Sequence, residues 1–176
     1  MEFDNRRLVR INRNINAYIL KSIGEHKVLP LKNIIAAFPG SGKTVASKWH
    51  DSIYIDVDES EFHWVKDEDG NRVVNPEWPS NYIDAVLDAA ANEDSQYRYI
   101  LVPTDKDVIA ELDNRHIVYS ALIPKTKEAA IEKNSHKGED FIKHLSDDYD
   151  EYIDAVCKSK VHSIYVSDSY LNEVFP

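Results

Sequence analysis

The sequence holds one cysteine, Cys157, among 176 residues, so no disulfide can close within the chain, and a structural zinc site could not be built without histidine partners at ligand spacing. A reducing cytoplasm is the simplest compartment for such a chain. Glycine and proline are scarce, at five and seven, while 43% of residues are hydrophobic and 30% charged; this excludes a largely disordered chain. No apolar run approaches the ~20 residues of a membrane span, and Met1 to Arg13 is polar and rich in arginine, so no membrane address is expected. Basic residues are outnumbered 21 to 31, and a net charge of −10 disfavours long polyanions such as nucleic acid unless a local basic groove overrides it. Small anions clamped by a few groups stay compatible. The length fits a single domain.

What is present is an alternation of short β-rich runs and longer amphipathic runs, the pattern of an α/β fold. Leu8, Ile11, Ile15, Ile19 and Ile23 recur mainly every four positions, which predicts a helix over Asn5 to Ile23 within an N-terminal extension, residues 1–31. Strands are expected at Asn33 to Ala37, Ser52 to Asp58, Tyr97 to Val102, Ile117 to Ile123 and Val161 to Val166. Helices are expected at Lys43 to His50, Asn81 to Ala91, Thr126 to Lys133 and Phe141 to Val156, with Thr104 and Asp107 spaced as a capping box for one more. Each strand before the last is followed by a helix, so right-handed crossovers yield a five-stranded parallel sheet covered by helices on both faces, three layers in all. Asp147, Asp148, Asp150, Glu151 and Asp154 read as the wet face of the long helix.

The run Ala37-Phe38-Pro39-Gly40-Ser41-Gly42-Lys43-Thr44 matches G-x-x-x-x-G-K-S/T at every fixed position except the first. Gly40 and Gly42 let the backbone turn so that amides from Pro39 through Gly40, Ser41, Gly42 and Lys43 to Thr44 surround a phosphate, with a helix opening behind them. Lys43 reaches β- and γ-oxygens, and the Thr44 hydroxyl is a ligand for Mg²⁺. The loop leaves an apolar strand and enters a helix, the context the motif requires. The expected cofactors are therefore ATP or GTP, with Mg²⁺.

Asp56 and Asp58 lie two apart on the second strand and point to the same side at its carboxyl end, where ligands of α/β sheets gather. One carboxylate there can orient Mg²⁺ and the other can accept a proton from an attacking hydroxyl. The order of phosphate loop, Asp56-Val57-Asp58, third strand and late basic helix resembles the nucleoside-monophosphate-kinase and shikimate-kinase-like branch of P-loop kinases. That resemblance implies a metal role for Asp56 and an acceptor-hydroxyl role for Asp58. Asn75 to Ile83 is also similar to a segment of small phage-encoded P-loop proteins described as ATPases or nucleotide kinases.

Residues 59–80 occupy the place of an acceptor-binding insertion, in which Trp64, Trp78 and Tyr82 offer aromatic faces for a base and Asn75 a base-edge contact. The opposing reading is that these aromatics pin the insertion by packing. Residues 125–138 occupy the place of a lid, with Lys127, Lys133 and Lys137 to neutralise charge on a transferred phosphoryl group, although no arginine is present there. The expected activity is transfer of a phosphoryl group from ATP to a nucleoside, nucleotide or similar small hydroxylated acceptor, with Lys43 and Asp58 as the catalytic pair. Two alternatives stand beside it: a kinase acting on a polynucleotide end or modified DNA base, and a nucleotide-binding regulatory or host-interaction protein without transfer activity.

Overall fold

The computed structural model describes residues 33–50, 53–92 and 97–176. The expected helix over Asn5 to Ile23, with the rest of the 1–31 extension, lies outside the described residues.

The chain enters at β1 (Asn33–Ala37), passes through the phosphate-loop segment into α1 (Lys43–Trp49), and continues to β2 (Tyr54–Asp56) and the single turn α2 (Ser60–His63). A hairpin of β3 (Trp64–Lys66) and β4 (Arg72–Val74) precedes α3 (Ser80–Ala91). Then follow β5 (Tyr99–Pro103), α4 (Lys106–Asn114), β6 (Tyr119–Ile123), α5 (Lys127–Lys133), the 20-residue α6 (Glu139–Lys158), β7 (Ser163–Val166) and a last turn, α7 (Leu171–Val174).

Five strands form one sheet in the order β2-β5-β1-β6-β7, every pairing parallel. The α/β architecture with a five-stranded parallel sheet flanked by helices agrees with the sequence reading. Because β1 is central and its Ile-Ile-Ala-Ala run is buried on both sides, alternate residues build two separate cores. Ile34 and Ala36 join Tyr82, Val86, Val108, Leu112 and Val156 from α3, α4 and α6. Ile35 and Ala37 join Ala46, Leu171 and Phe175 on the opposite face. The chain runs from β1 outward to β2 and back through β5, then crosses to β6 and β7 on the other side. The order therefore reverses at β1, and the crevice beyond its carboxyl end is where such sheets bind ligands.

Local chemistry corrects one expectation and adds two elements. Helix α4 is capped not by a Thr104 and Asp107 box but by Asp105, whose carboxylate accepts from the Asp107 and Val108 amides. Thr104 is instead fully buried. The β3–β4 hairpin was not expected, yet Asp67 closes it by accepting the Asp69 and Asn71 amides at 3.0 and 2.8 Å, with Gly70 in a left-handed conformation. The α7 turn, whose Leu171 enters the core, was likewise unexpected. Thr126 caps α5 as a side-chain acceptor for Ala129, and the acidic run of α6 lies on its outer side with Glu151 paired to Lys106 and Asp154 to Lys158. Among the described residues no helix is long and apolar enough to cross a membrane.

Candidate active site

The loop after β1 is curled, with Gly40 and Gly42 at φ of 83° and 92°. Only glycine adopts that region without strain, and neighbours reinforce the requirement. A Cβ on Gly40 would lie 2.1 Å from Asn134 side-chain atoms, and one on Gly42 would lie 3.2 Å from Tyr170 Cδ1. The turn is closed by the Ser41 amide donating to the Phe38 carbonyl at 3.0 Å, and the Phe38 amide ties the segment to Leu122 of β6 at 3.0 Å. The Phe38 ring is wedged edge-on against Tyr149 and Tyr152 of α6. Ala37, where the motif has its first glycine, is still within β1 and completely buried, so a methyl fits. Gly42 caps α1 without any side-chain hydrogen bond, which leaves the amides of that first turn without a capping acceptor.

Two distant segments fasten the loop. Asn134, fully buried after α5, donates to the Ala130 carbonyl at 2.8 Å and to the Pro39 carbonyl at 3.3 Å. From the chain's last turn, the Leu171 amide donates to the Ser41 carbonyl at 2.9 Å. Lys133 holds that same strap by donating to the carbonyls of Asp168 and Ser169 and lies over the Tyr170 ring.

Above the loop opens a cavity of about 810 Å³. Pro39, Gly40, Gly42, Lys43 and Thr44 form its loop side, Lys133, Asn134, His136 and Lys137 another wall, and Glu59, Thr104, Asp105, Phe141 and Tyr152 one end. A second chamber of about 300 Å³ shares Lys43, Thr44, Glu59 and Pro103 with it and adds Ser47, Asp56, Val57 and Asp58. The Lys43 ammonium donates to the Ala37 carbonyl at 3.3 Å, a long bond that folds it back over its own loop. Lys137 lies above the Phe141 ring, and burial, then repulsion from Lys43, lowers its pKa. Burial likewise lowers that of Lys133.

The carboxylates have distinct surroundings. Asp56 is pushed above the ordinary carboxylate range by burial, an effect opposed by Lys43 and reinforced by Asp58. Asp58 accepts the Ser60 amide at 2.9 Å and so braces the α2 turn while lining the smaller chamber. Glu59 is also pushed up, by burial first, with Lys43 opposing and Asp105, Asp58 and Asp56 adding to it. Its Oε2 is buried with no hydrogen-bond partner among the described residues. No group of three His, Cys, Asp or Glu that could hold a metal occurs among the described residues. Thr44 and Asp56 do share the smaller chamber, so two hard oxygen donors fit Mg²⁺ only if phosphate oxygens complete its shell.

The residues read as an acceptor platform are placed elsewhere. Trp64, Asn75, Trp78 and Tyr82 line neither cavity. His63 is sandwiched between Trp64 and Trp78 at ring separations of 4.5 and 4.3 Å, with the Arg72 guanidinium over the outer face of Trp64. Asn75 is consumed locally, donating to the Phe62 carbonyl and accepting from the Glu77 amide. Tyr82 is fully buried and donates its hydroxyl to the Val57 carbonyl at 3.1 Å. The packing reading of this segment thus describes its geometry. Of the three lid lysines, Lys133 and Lys137 line the large cavity and Lys127 does not.

Four contributors went unread in the sequence. Glu59 adjoins the Asp-x-Asp pair at the head of the 59–80 insertion and belongs to no motif of its own. Asn134 sits inside a lysine-rich stretch whose charge drew attention away from it. Thr104 was assigned to a cap, and Tyr170 belongs to a segment with no motif. Compared with known proteins, the chain matches no protein-family model and no curated sequence.

Proposed function

We propose that this protein binds a magnesium nucleoside triphosphate on the Gly40 to Thr44 loop and transfers its terminal phosphoryl group to a small hydroxylated acceptor, in a three-layer P-loop fold. The observation that carries this reading is the junction of two cavities at Lys43, Thr44 and Glu59: the large one is lined by Lys43, Lys133 and Lys137 together with Glu59, Asp105 and Glu173, and the small one adds Asp56 and Asp58.

On this reading the triphosphate lies along the loop, where Gly40 and Gly42 allow close approach of the main chain. Lys43 exchanges its long bond to the Ala37 carbonyl for phosphate oxygens, a charge-assisted contact that the carbonyl cannot match. Burial and Lys43 disfavour the charged form of Lys137, and neighbouring phosphates would favour it. Thr44 and Asp56 would hold Mg²⁺, which when bound offsets phosphate charge. The acceptor hydroxyl comes from the carboxylate side, and the carboxylates of the small chamber orient it. Such catalysis is positioning and electrostatics more than covalent chemistry.

Calorimetric titration with magnesium ATP and magnesium GTP tests the reading. Wild-type protein takes up one of them and Lys43→Ala loses roughly 10- to 100-fold in affinity, the worth of a charge-assisted hydrogen bond. Absence of uptake by the wild type rejects the proposal.

A further inference from the structure

The large cavity has an end that a triphosphate on the loop does not require. There Glu59, Thr104, Asp105 and Tyr152 converge, next to the chamber of Asp56 and Asp58. The four carboxylates are close enough to act on one another electrostatically, and Asp105 and Glu59 also act on Tyr152. Asp105 is half used, one oxygen capping α4, and Asp58 is half used at Ser60. Glu59 has a buried oxygen with no partner.

An acidic cluster alone would be unremarkable as a strand-end feature. Thr104 makes the difference. Its side chain is wholly buried, lines this cavity, and carries a hydroxyl without a hydrogen-bond partner among the described residues. Leaving a buried hydroxyl unpartnered is costly, so its position at a cavity wall points to a ligand that completes it. Among the described residues Lys43 is the one lysine lining both cavities, and on the nucleotide reading the triphosphate engages it; Lys133 and Lys137 line the large cavity alone.

We infer that this end of the cavity is the acceptor subsite, that it admits a hydroxylated molecule carrying no phosphate, with an amine favoured, and that Glu59 is the group that receives the hydroxyl proton. The inference rests on the nucleotide-site reading above. A phosphorylated acceptor would bring two negative charges against four carboxylates, while the lysines that line the cavity among the described residues are given to the triphosphate (Lys43, Lys137) or to the carbonyls of Asp168 and Ser169 (Lys133); an ammonium would be drawn in and a neutral polyol tolerated. In the transfer, the acceptor oxygen forms a bond to the γ-phosphorus, the bond between that phosphorus and the β–γ bridging oxygen breaks, and the nucleoside diphosphate leaves. The hydroxyl proton passes to the Glu59 carboxylate.

The test uses the full chain with magnesium and γ-labelled ATP, offered matched acceptors: glucosamine and glucosamine 6-phosphate, thymidine and thymidine 5′-phosphate, kanamycin, myo-inositol, and an oligonucleotide with a free 5′-hydroxyl. Label is expected on at least one unphosphorylated small molecule, with a phosphorylated counterpart at least about 100-fold poorer in kcat/KM. Glu59→Gln is expected to lower transfer by roughly 10²- to 10⁴-fold while nucleotide affinity stays within about threefold. Thr104→Val, close to isosteric, is expected to raise the acceptor KM and leave nucleotide affinity unchanged. Preference for a phosphorylated acceptor or for the oligonucleotide overturns the inference, as does nucleotide binding without transfer to any unphosphorylated member. If magnesium nucleotide does not bind at all, the underlying site reading falls and this inference falls with it.

Discussion

A side chain at position 40 and the carboxamide of Asn134 compete for the same volume, since a Cβ on Gly40 would lie 2.1 Å from both Oδ1 and Nδ2 of Asn134. Gly40→Ala therefore meets two penalties, a left-handed backbone and a clash, and is expected to cost about 1–3 kcal/mol from the backbone alone. Asn134→Ala removes the clash but also the bond to the Ala130 carbonyl. Denaturant unfolding of the two single variants and the double variant should give a double loss smaller than the sum of the singles; strict additivity would show that the two sites do not meet.

Lys137 yields a pH dependence. Burial and Lys43 hold its folded pKa below the ordinary lysine range, and a bound triphosphate favours the charged form and raises it again. Between those two values binding takes up a proton, so nucleotide affinity declines as pH rises through the free protein's Lys137 pKa and levels off above the bound value. Calorimetry in buffers of different ionisation enthalpy would show that uptake in the alkaline range, and Lys137→Ala should diminish it. A pH-independent affinity would remove this lysine from the phosphate wall.

For stability the sign at Glu59 is the reverse of the usual carboxylate case. Its folded pKa is raised, so on going up in pH the unfolded chain ionises first, and folding loses stability from the ordinary carboxylate range up through the folded value. Glu59→Gln is expected to melt at a higher temperature than wild type at about pH 7.5 and to lose that advantage near about pH 4. Thermal melts at the two pH values check this; a variant less stable at neutral pH would mean that the carboxylate is well solvated or paired.

The aromatic stack predicts a separation of stability from binding. Trp64→Ala takes away the ring between Arg72 and His63 and should destabilise by about 1–2 kcal/mol through lost cation–π and stacking contacts. Because Trp64 lines neither cavity, nucleotide affinity and transfer rate should move less than about twofold. Intrinsic fluorescence follows the unfolding, and a selective loss of transfer would return this ring to the acceptor.

Leu171 couples the strap to the loop. It is completely buried against β1, so Leu171→Ala should cost about 2–5 kcal/mol. Its amide also holds the Ser41 carbonyl, so the same variant should bind nucleotide more weakly under conditions where it remains folded, as checked by circular dichroism beside the titration.

The parts of the structure legible in the sequence are those whose cause is local. The runs at Ile34 to Ala37 and Ile100 to Val102 read as strands because a parallel strand buried on both faces needs an unbroken apolar run. The turn at Gly40 to Gly42 and the entry into α1 read clearly because glycine conformation and helix start are demanded within eight residues. The β3–β4 hairpin escaped because all six of its strand residues are exposed and lack the in-and-out alternation that marks a half-buried strand. Asp105 and Thr104 were interchanged because both can cap a helix and only the depth of the sheet edge decides which is buried. Trp64, Asn75, Trp78 and Tyr82 carry the right chemistry for a base, but side-chain type does not reveal that the two indoles stack on His63 while Asn75 and Tyr82 bond main-chain carbonyls. Glu59 and Asn134 became visible only through segments far apart in sequence closing over the loop.

The bond from Leu171 to Ser41 joins positions 130 residues apart by number and so fixes when the turn after β1 matures as well as where it sits. A nascent chain can form the β1 to α1 turn early, yet the carbonyl of Ser41 finds its partner only after the final strand has been added and the strap laid back. Ligand capture should accordingly lag behind secondary structure in a refolding experiment, and fusions appended after Phe175 should be felt at the loop before they are felt in the rest of the sheet.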